Sequence, residues 1–305
     1  MAKKSIGFIG AGKMAEALVS GIITAKVVAA DKITVSDMDF PRIKHMTGKY
    51  SVHGTQSNKK LAEACDIIIL AVKPNNIEKV LYEIKDSINE SKLIISIAAG
   101  IKEKLIRKFL SWDEHIPIVR VMPNTPALVL EGASGLYFNE SCSEENKKDT
   151  KAIFDAVGVS IVLEKESMID AVTALSGSGP AYVFYFIEAL ADAGVAMGLG
   201  RDVSQKLATQ TFVGSAKLAK ETGVHSTMLK EMVTSPGGTT IEALNLLDRK
   251  GVKGSIINSI IVACSKSILM GLESDEPQKL NASFDLIINN FNHSHLCVSN
   301  RRRMR

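Results

Sequence analysis

The chain predicts a two-part α/β architecture: a doubly wound parallel sheet followed by an all-helical region. Three observations predict it. A glycine pattern, GAGKMA, follows a short apolar strand at the very start of the chain. Near-continuous apolar runs then alternate with amphipathic stretches to about residue 128. From about Ser167 the apolar residues recur every three or four positions and strand patterns stop. Alternating strands and helices of this spacing specify a parallel sheet with helices on both faces.

The first element is SIGFIGAGKMAEALVSGII. Gly10 supplies the tight turn after the strand, Gly12 lets the backbone approach a pyrophosphate, and Ala15 lets the next helix pack close to the sheet. Met14, Ala17, Leu18, Gly21 and Ile22 have helical spacing, and the start of that helix offers N–H groups to phosphates. The second strand, KITVSDMDF, carries Asp37 near its end. A carboxylate there favours the ribose 2′-hydroxyl of NADH and repels the 2′-phosphate of NADPH. Lys59, Lys60 and Arg42 are the cations expected to reach such a phosphate. CDIIILAVKP reads as a central, doubly covered strand. SKLIISIAAG and IPIVRVMPNTPAL follow, with PNNIEKVLYEIKDSI and IKEKLIRKFLSW as amphipathic helices between strands. Ligands of such sheets bind at the carboxyl ends of the strands, so GAGKMA, SDMD, AVKP, SIAAG and MPNTP are the candidate site segments.

In the second half, Pro180 suits the first turn of a helix, Gly198 and Gly200 mark its end, and Asp202 is placed to cap the next one. YVFYFIEALADAGVAM and SIINSIIVACSKSILMGL lack a broad polar side. Helices apolar all round are buried in a bundle or against another subunit, which predicts a homo-oligomer formed through this region.

Composition narrows the function classes. The 305 residues are 46% hydrophobic and 23% charged, ordinary for a globular protein. A net charge of +4 is too mild to argue for nucleic acid, and RRRMR at the end reads as a solvated tail. Cys65, Cys142, Cys264 and Cys297 have neither zinc nor disulfide spacing, and His293 and His295 alone do not make a metal site. Sequons at Asn139, Asn281 and Asn292 matter only in a secreted protein. Glycines interrupt the first apolar stretch too early for a signal peptide, and no apolar run reaches the ~18 residues of a membrane span. The reading is of a soluble, cytoplasmic protein with no membrane or nucleic-acid partner and no metal.

VTSPGGTTIEAL, residues 233–244, contains no histidine or cysteine, and no carboxylate between Ser235 and Thr240. A site built there works by positioning and hydrogen bonding. A protonated cyclic imine is a hydride acceptor that needs no protein acid, only donors for its carboxylate and a partner near its nitrogen. Backbone N–H groups and hydroxyls at a helix start suit the carboxylate.

GFIGAGKMAEAL, AVKP, MPNTPALVLEGASG, IDAVTALSGSGPAY and MVTSPGGTTIEAL together closely resemble the pyrroline-5-carboxylate reductases, over roughly residues 5–272. The resemblance implies reduction of L-1-pyrroline-5-carboxylate to L-proline by NADPH or NADH, the last step of proline synthesis. It implies a Rossmann domain, residues 1–165, a helical substrate and dimerisation domain, 166–272, and often a ring of dimers. The tail 273–305 has no counterpart in the resemblance. Gly10 and Gly12 would hold the pyrophosphate with Ala11, Lys13 and Met14 around them, and Ser36, Asp37 and Asn58 would lie on the adenosine side. Ala71, Val72, Lys73 and Pro74, with Ile97 and Ala99, would line the nicotinamide ribose region. Glu166 would border the substrate, Ser235, Gly238 and Thr239 would hold its carboxylate, and Thr240 would hydrogen-bond the ring nitrogen as the catalytic residue. Family habit favours NADPH, against Asp37. A rival reductase type would need a catalytic lysine, for which Lys206, Lys217, Lys220 and Lys230 are available, and a nucleotide sensor would not need the SPGGTT loop.

Overall fold

The computed structural model describes residues 1, 4–111 and 115–275, and these form two compact units: the described residues up to Gly177 together with 263–275, and Ser178–Val262. These units and the sequence-based division at 165/166 rest on different criteria, compactness and composition. Residues 276–305, including His293, His295 and nearly all of the expected tail, lie outside the described residues.

The first unit is built on eight strands: β1 Ile6–Ile9, β2 Ile33–Ser36, β3 His53–Thr55, β4 Ile67–Leu70, β5 Leu93–Ser96, β6 Ile118–Met122, β7 Gly132–Phe138 and β8 Gly158–Val162. Their order is β3-β2-β1-β4-β5-β6-β7-β8. The expected doubly wound sheet is present, parallel at every pair except β6–β7. The short stretch between Met122 and Gly132 has no room for a crossover helix, so β7 turns back on β6. Three strands went unread in the sequence. β3 is too short and polar, β7 is broken by Gly132 and Gly135, and β8 is an edge with Val159 and Ile161 exposed.

Helices α1 Lys13–Thr24, α2 Phe40–Tyr50, α3 Asn58–Ala64, α4 Ile77–Ile84, α5 Glu103–Leu110, α6 Glu144–Asp155 and α7 Met168–Val172 belong to this unit. One apolar layer joins Phe8, Leu18, Ile22, Ile69 and Phe154, and another joins Ile9, Leu61, Ile68, Leu81 and Ile106. The alternation of Phe8 and Ile9 along β1 sends one to each layer, as the two-residue period of a strand requires. α6, also unread, starts with a reciprocal cap between Ser143 and Asn146. Asn139, in a potential sequon, is buried and bonds the Ile118 N–H and the Ile116 carbonyl, so it braces β6.

The second unit contains α8 Gly179–Ala196, α9 Arg201–Thr222, α10 Ser226–Met232, α11 Thr239–Arg249 and the beginning of α12, Val252–Asp275. Pro180 does lie in the first turn of α8, but the cap of α9 is Gly200, and Asp202 lies inside its first turn. α8 meets α9 at small residues: a Cβ on Gly194 would stand 2.6 Å from Ser204 Oγ. Only Ala191 and Gly194 of α8 are buried, while Phe184 and Tyr185 are 64% and 67% exposed, so this helix has too little of its own chain to cover it. Val252–Leu272 is, by length and composition alone, apolar enough to cross a membrane. The expectation of no such segment rested on unbroken apolar runs, which Ser255, Asn258, Ser259 and Lys266 interrupt.

Candidate active site

Gly10 adopts φ +100°, and a Cβ there would stand 2.7 Å from the Ala71 carbonyl oxygen. The turn after β1 and the end of β4 therefore approach more closely than any side chain permits. Gly12 precedes α1 in ordinary extended conformation (φ −70°, ψ −176°), and nothing lies within 4 Å of where its Cβ would be. One glycine closes the turn and the other keeps space open.

That space belongs to a cleft of about 420 Å³ at the carboxyl ends of β1, β2 and β4, where the strand order reverses. Of the expected cofactor residues, Gly10, Gly12, Ser36, Asp37, Asn58, Ala71, Val72 and Lys73 line it. Ala11, Lys13, Met14, Pro74, Ile97 and Ala99 do not. Ala11 is buried, Lys13 is exposed on the first turn of α1, Pro74 opens the 3-10 turn before α4, and the Ile97 N–H is bonded to the Leu70 carbonyl. The sequence reading missed Ile9, Met38, Asn76, Lys79, Val80 and Glu83. Lys79 and Glu83 are four apart on α4, a visible helical pair. Which face of α4 meets the cleft depends on the turn Pro74–Asn76, which the pattern does not reveal.

Three polar side chains of the lining are tied to one another. Asn58 accepts from the Ser36 hydroxyl (2.7 Å) and donates to Glu83 Oε2 (2.9 Å), linking β2, α3 and α4. Asp37 Oδ2 accepts the Ala11 N–H (2.7 Å) and Oδ1 the Asp39 N–H (2.9 Å), so this carboxylate also holds the glycine turn in place. The cations expected to reach a 2′-phosphate are placed as follows. Arg42 is engaged with the Ala11 carbonyl and with Glu16, and Lys59 and Lys60 are exposed on α3 outside the lining, whereas Lys73 and Lys79 are in it.

Glu166 lies in the same unit, ahead of α7. Its Oε1 accepts the Glu103 N–H at the start of α5 (2.6 Å) and Arg120 Nη1 (3.0 Å), whose side chain is 6% exposed. It thus satisfies a helix-start donor and neutralises a buried guanidinium. Burial, with the carboxylates of Glu166, Glu103 and Glu140, pushes the Tyr137 phenol up and keeps it neutral.

In the helical unit, Ser235–Gly238 forms a turn in which the Gly238 N–H donates to the Ser235 carbonyl (3.1 Å) and Gly237 adopts φ +65°. Gly238 precedes α11 without a side-chain cap, which leaves the first N–H groups of that helix open. Ser235 and Thr239 are exposed and Thr240 is half-buried. Lys206, Lys217, Lys220 and Lys230 are all exposed on α9 and α10, with Lys217 beside Glu221.

Comparison with known proteins decides the family. A relative from Methanosarcina acetivorans, a pyrroline-5-carboxylate reductase, is 43% identical over 89% of this chain and 99% of its own. The chain belongs to the pyrroline-5-carboxylate reductase family. The family's enzyme from Escherichia coli K12 is 41% identical over 87% of this chain and 97% of its own. The family model described as pyrroline-5-carboxylate reductase dimerisation matches residues 166–270, and one described as NADP oxidoreductase, coenzyme F420-dependent, matches 5–100. Among solved structures, a family member from Coxiella burnetii superposes with TM-score 0.83 at 37% identity, covering 88% of this chain and 98% of its own. The Plasmodium falciparum enzyme with NADP bound superposes with TM-score 0.79 at 36% identity, covering 89% and 99%.

Proposed function

We propose that the chain reduces L-1-pyrroline-5-carboxylate to L-proline with NADPH or NADH as hydride donor. The observation that carries this is a cleft of about 420 Å³, lined by Gly10 and Gly12, at the carboxyl ends of β1, β2 and β4, in a chain of this family. The open space beside Gly12, next to the unpaired N–H groups at the start of α1, fits a pyrophosphate. Gly10 and Gly12 border the pyrophosphate, Ser36, Asp37 and Asn58 the adenosine ribose, and Ala71, Val72 and Lys73 the nicotinamide side, with Pro74, Ile97 and Ala99 outside the lining. A bound reduced nicotinamide supplies the hydride.

In the helical unit, the N–H groups at the start of α11, with Ser235, Gly238 and Thr239, hold the substrate carboxylate. The Thr240 hydroxyl holds the ring nitrogen. The protonated imine already carries the charge that attracts hydride, so these residues accelerate the reaction by orientation. The exposed apolar side chains of α8, α9 and α12 pack against a second copy, making a homo-oligomer of at least two chains. We place the enzyme in the cytoplasm, with α12 covered by the second copy and not by a membrane. Light scattering should return at least twice the chain mass, and a monomer would remove that part of the reading.

The test of function is oxidation of NADPH and, separately, NADH at 340 nm, with and without pyrroline-5-carboxylate. Substrate-dependent oxidation is expected. A folded protein that binds either cofactor yet oxidises neither would overturn the assignment.

A further inference from the structure

The glycine turn is gripped from behind. Ala11 is fully buried; its N–H donates to Asp37 and its carbonyl oxygen accepts from Arg42 twice, from Nε at 2.9 Å and Nη2 at 2.7 Å. That oxygen belongs to the same peptide plane as the N–H of Gly12. In a planar trans peptide the two groups point in opposite directions. A carbonyl turned toward Arg42 therefore turns the Gly12 N–H away from it, on a residue that lines the cleft.

Arg42 is itself held. Its Nη2 donates to Glu16 Oε2 (2.9 Å), while Glu16 Oε1 lies 2.8 Å from His45 Nε2 and accepts from Lys49 Nζ and the Tyr50 hydroxyl at 3.1 Å each. Burial pushes the Glu16 carboxyl up, but the donors His45, Arg42, Lys49 and Tyr50 outweigh it and hold it well below the usual carboxylate range. The anion that aims the guanidinium persists at neutral pH.

We propose that Arg42 is a positioning residue for the phosphate-binding turn: it fixes the Ala11–Gly12 peptide so that the Gly12 N–H faces the cofactor's pyrophosphate, and it does not read the 2′-position of the adenosine ribose. The inference rests on the dinucleotide reading of the cleft. It has a consequence opposite to that of a cation serving a 2′-phosphate. The pyrophosphate is common to NADH and NADPH, so loss of Arg42 weakens both alike. A phosphate-reading arginine would be missed by NADPH alone.

The experiment is titration of NADPH and of NADH into wild type and Arg42→Met by cofactor fluorescence, with steady-state kinetics and thermal melting on the same samples. Both dissociation constants should rise by about 10-fold, as expected for loss of one charge-assisted contact, and by the same factor within about two-fold. The kcat at saturating cofactor should stay within about three-fold, since the group acts on binding. Arg42→Lys should recover part of the affinity for both, because an ammonium still donates to the carbonyl. Weakened NADPH with unchanged NADH would overturn the proposal, as would a lower melting point with both affinities unchanged. If Arg42→Met does not fold, Glu16→Gln keeps the guanidinium but loses the charge that aims it. It should weaken both cofactors in equal proportion, and unchanged affinities would again overturn the proposal. Wild type that binds neither cofactor removes the dinucleotide reading, and this one with it, before any variant is compared.

Discussion

Gly12→Ala adds one methyl group at a point where the folded chain has nothing within 4 Å. The backbone there, φ −70° and ψ −176°, is one that alanine adopts freely. Alanine is a poorer helix cap than glycine but loses less chain entropy on folding, and the two effects offset to within about 1 kcal/mol. Stability should therefore be almost unchanged. The methyl group stands in the space assigned to the pyrophosphate, and an overpacked contact costs about 1–3 kcal/mol. That corresponds to a rise of roughly 5- to 150-fold in KM for NADPH and NADH. The assay pairs thermal melting with cofactor KM at saturating pyrroline-5-carboxylate. Gly10→Ala is the contrasting control: its methyl group would meet the Ala71 carbonyl at 2.7 Å with φ +100°, so it should lose stability itself. An unchanged KM in a normally folded Gly12→Ala enzyme would refute the claim that the cofactor backbone passes Gly12.

Thr240→Ala should lower kcat/KM by ~10–100-fold with an unchanged melting point, as expected for a lost hydrogen bond to charge in the transition state; unaltered turnover removes Thr240 from the mechanism. Arg120→Met takes away the guanidinium that Glu166 neutralises, and the urea midpoint should fall by the equivalent of about 2–4 kcal/mol, less than a fully buried pair because Glu166 is 26% exposed. An unmoved midpoint would mean the pair is idle. Burial pushes the Cys142 thiol up to about 11 from 9.0. Folding then holds the proton more tightly, so the stability present below pH 9 is lost as pH rises from 9 through 11, by up to about 2–3 kcal/mol. Wild type should lose more urea stability than Cys142→Ala between pH 8 and 10.5; equal losses would contradict the burial.

What was legible in the sequence is what is encoded locally. The turn GAGKMA lies between a strand and a helix that are contiguous with it, and the central strands β4 (IIIL) and β5 (LIIS) are almost wholly Ile and Leu because both their faces are covered. The SPGGTT turn likewise announces an uncapped helix start within six residues. The apolar excess of α8 was visible too, since a helix lacking a polar face shows it in its own composition. β3, β7 and β8 escaped because an edge strand or a glycine-broken one has no period to read.

The roles of individual polar side chains were decided only by tertiary structure. Arg42 and Ala11 are 31 residues apart, Asn58 and Glu83 are 25 apart, and Glu166 and Glu103 are 63 apart. A residue type announces which bonds a side chain is able to make. The folded sheet decides which partner is within 3 Å, and it is this that sets the Arg42 guanidinium on the Ala11 carbonyl and Glu16. Long polar side chains carry several donors or acceptors on flexible stems, so their function is fixed by whatever the topology brings beside them.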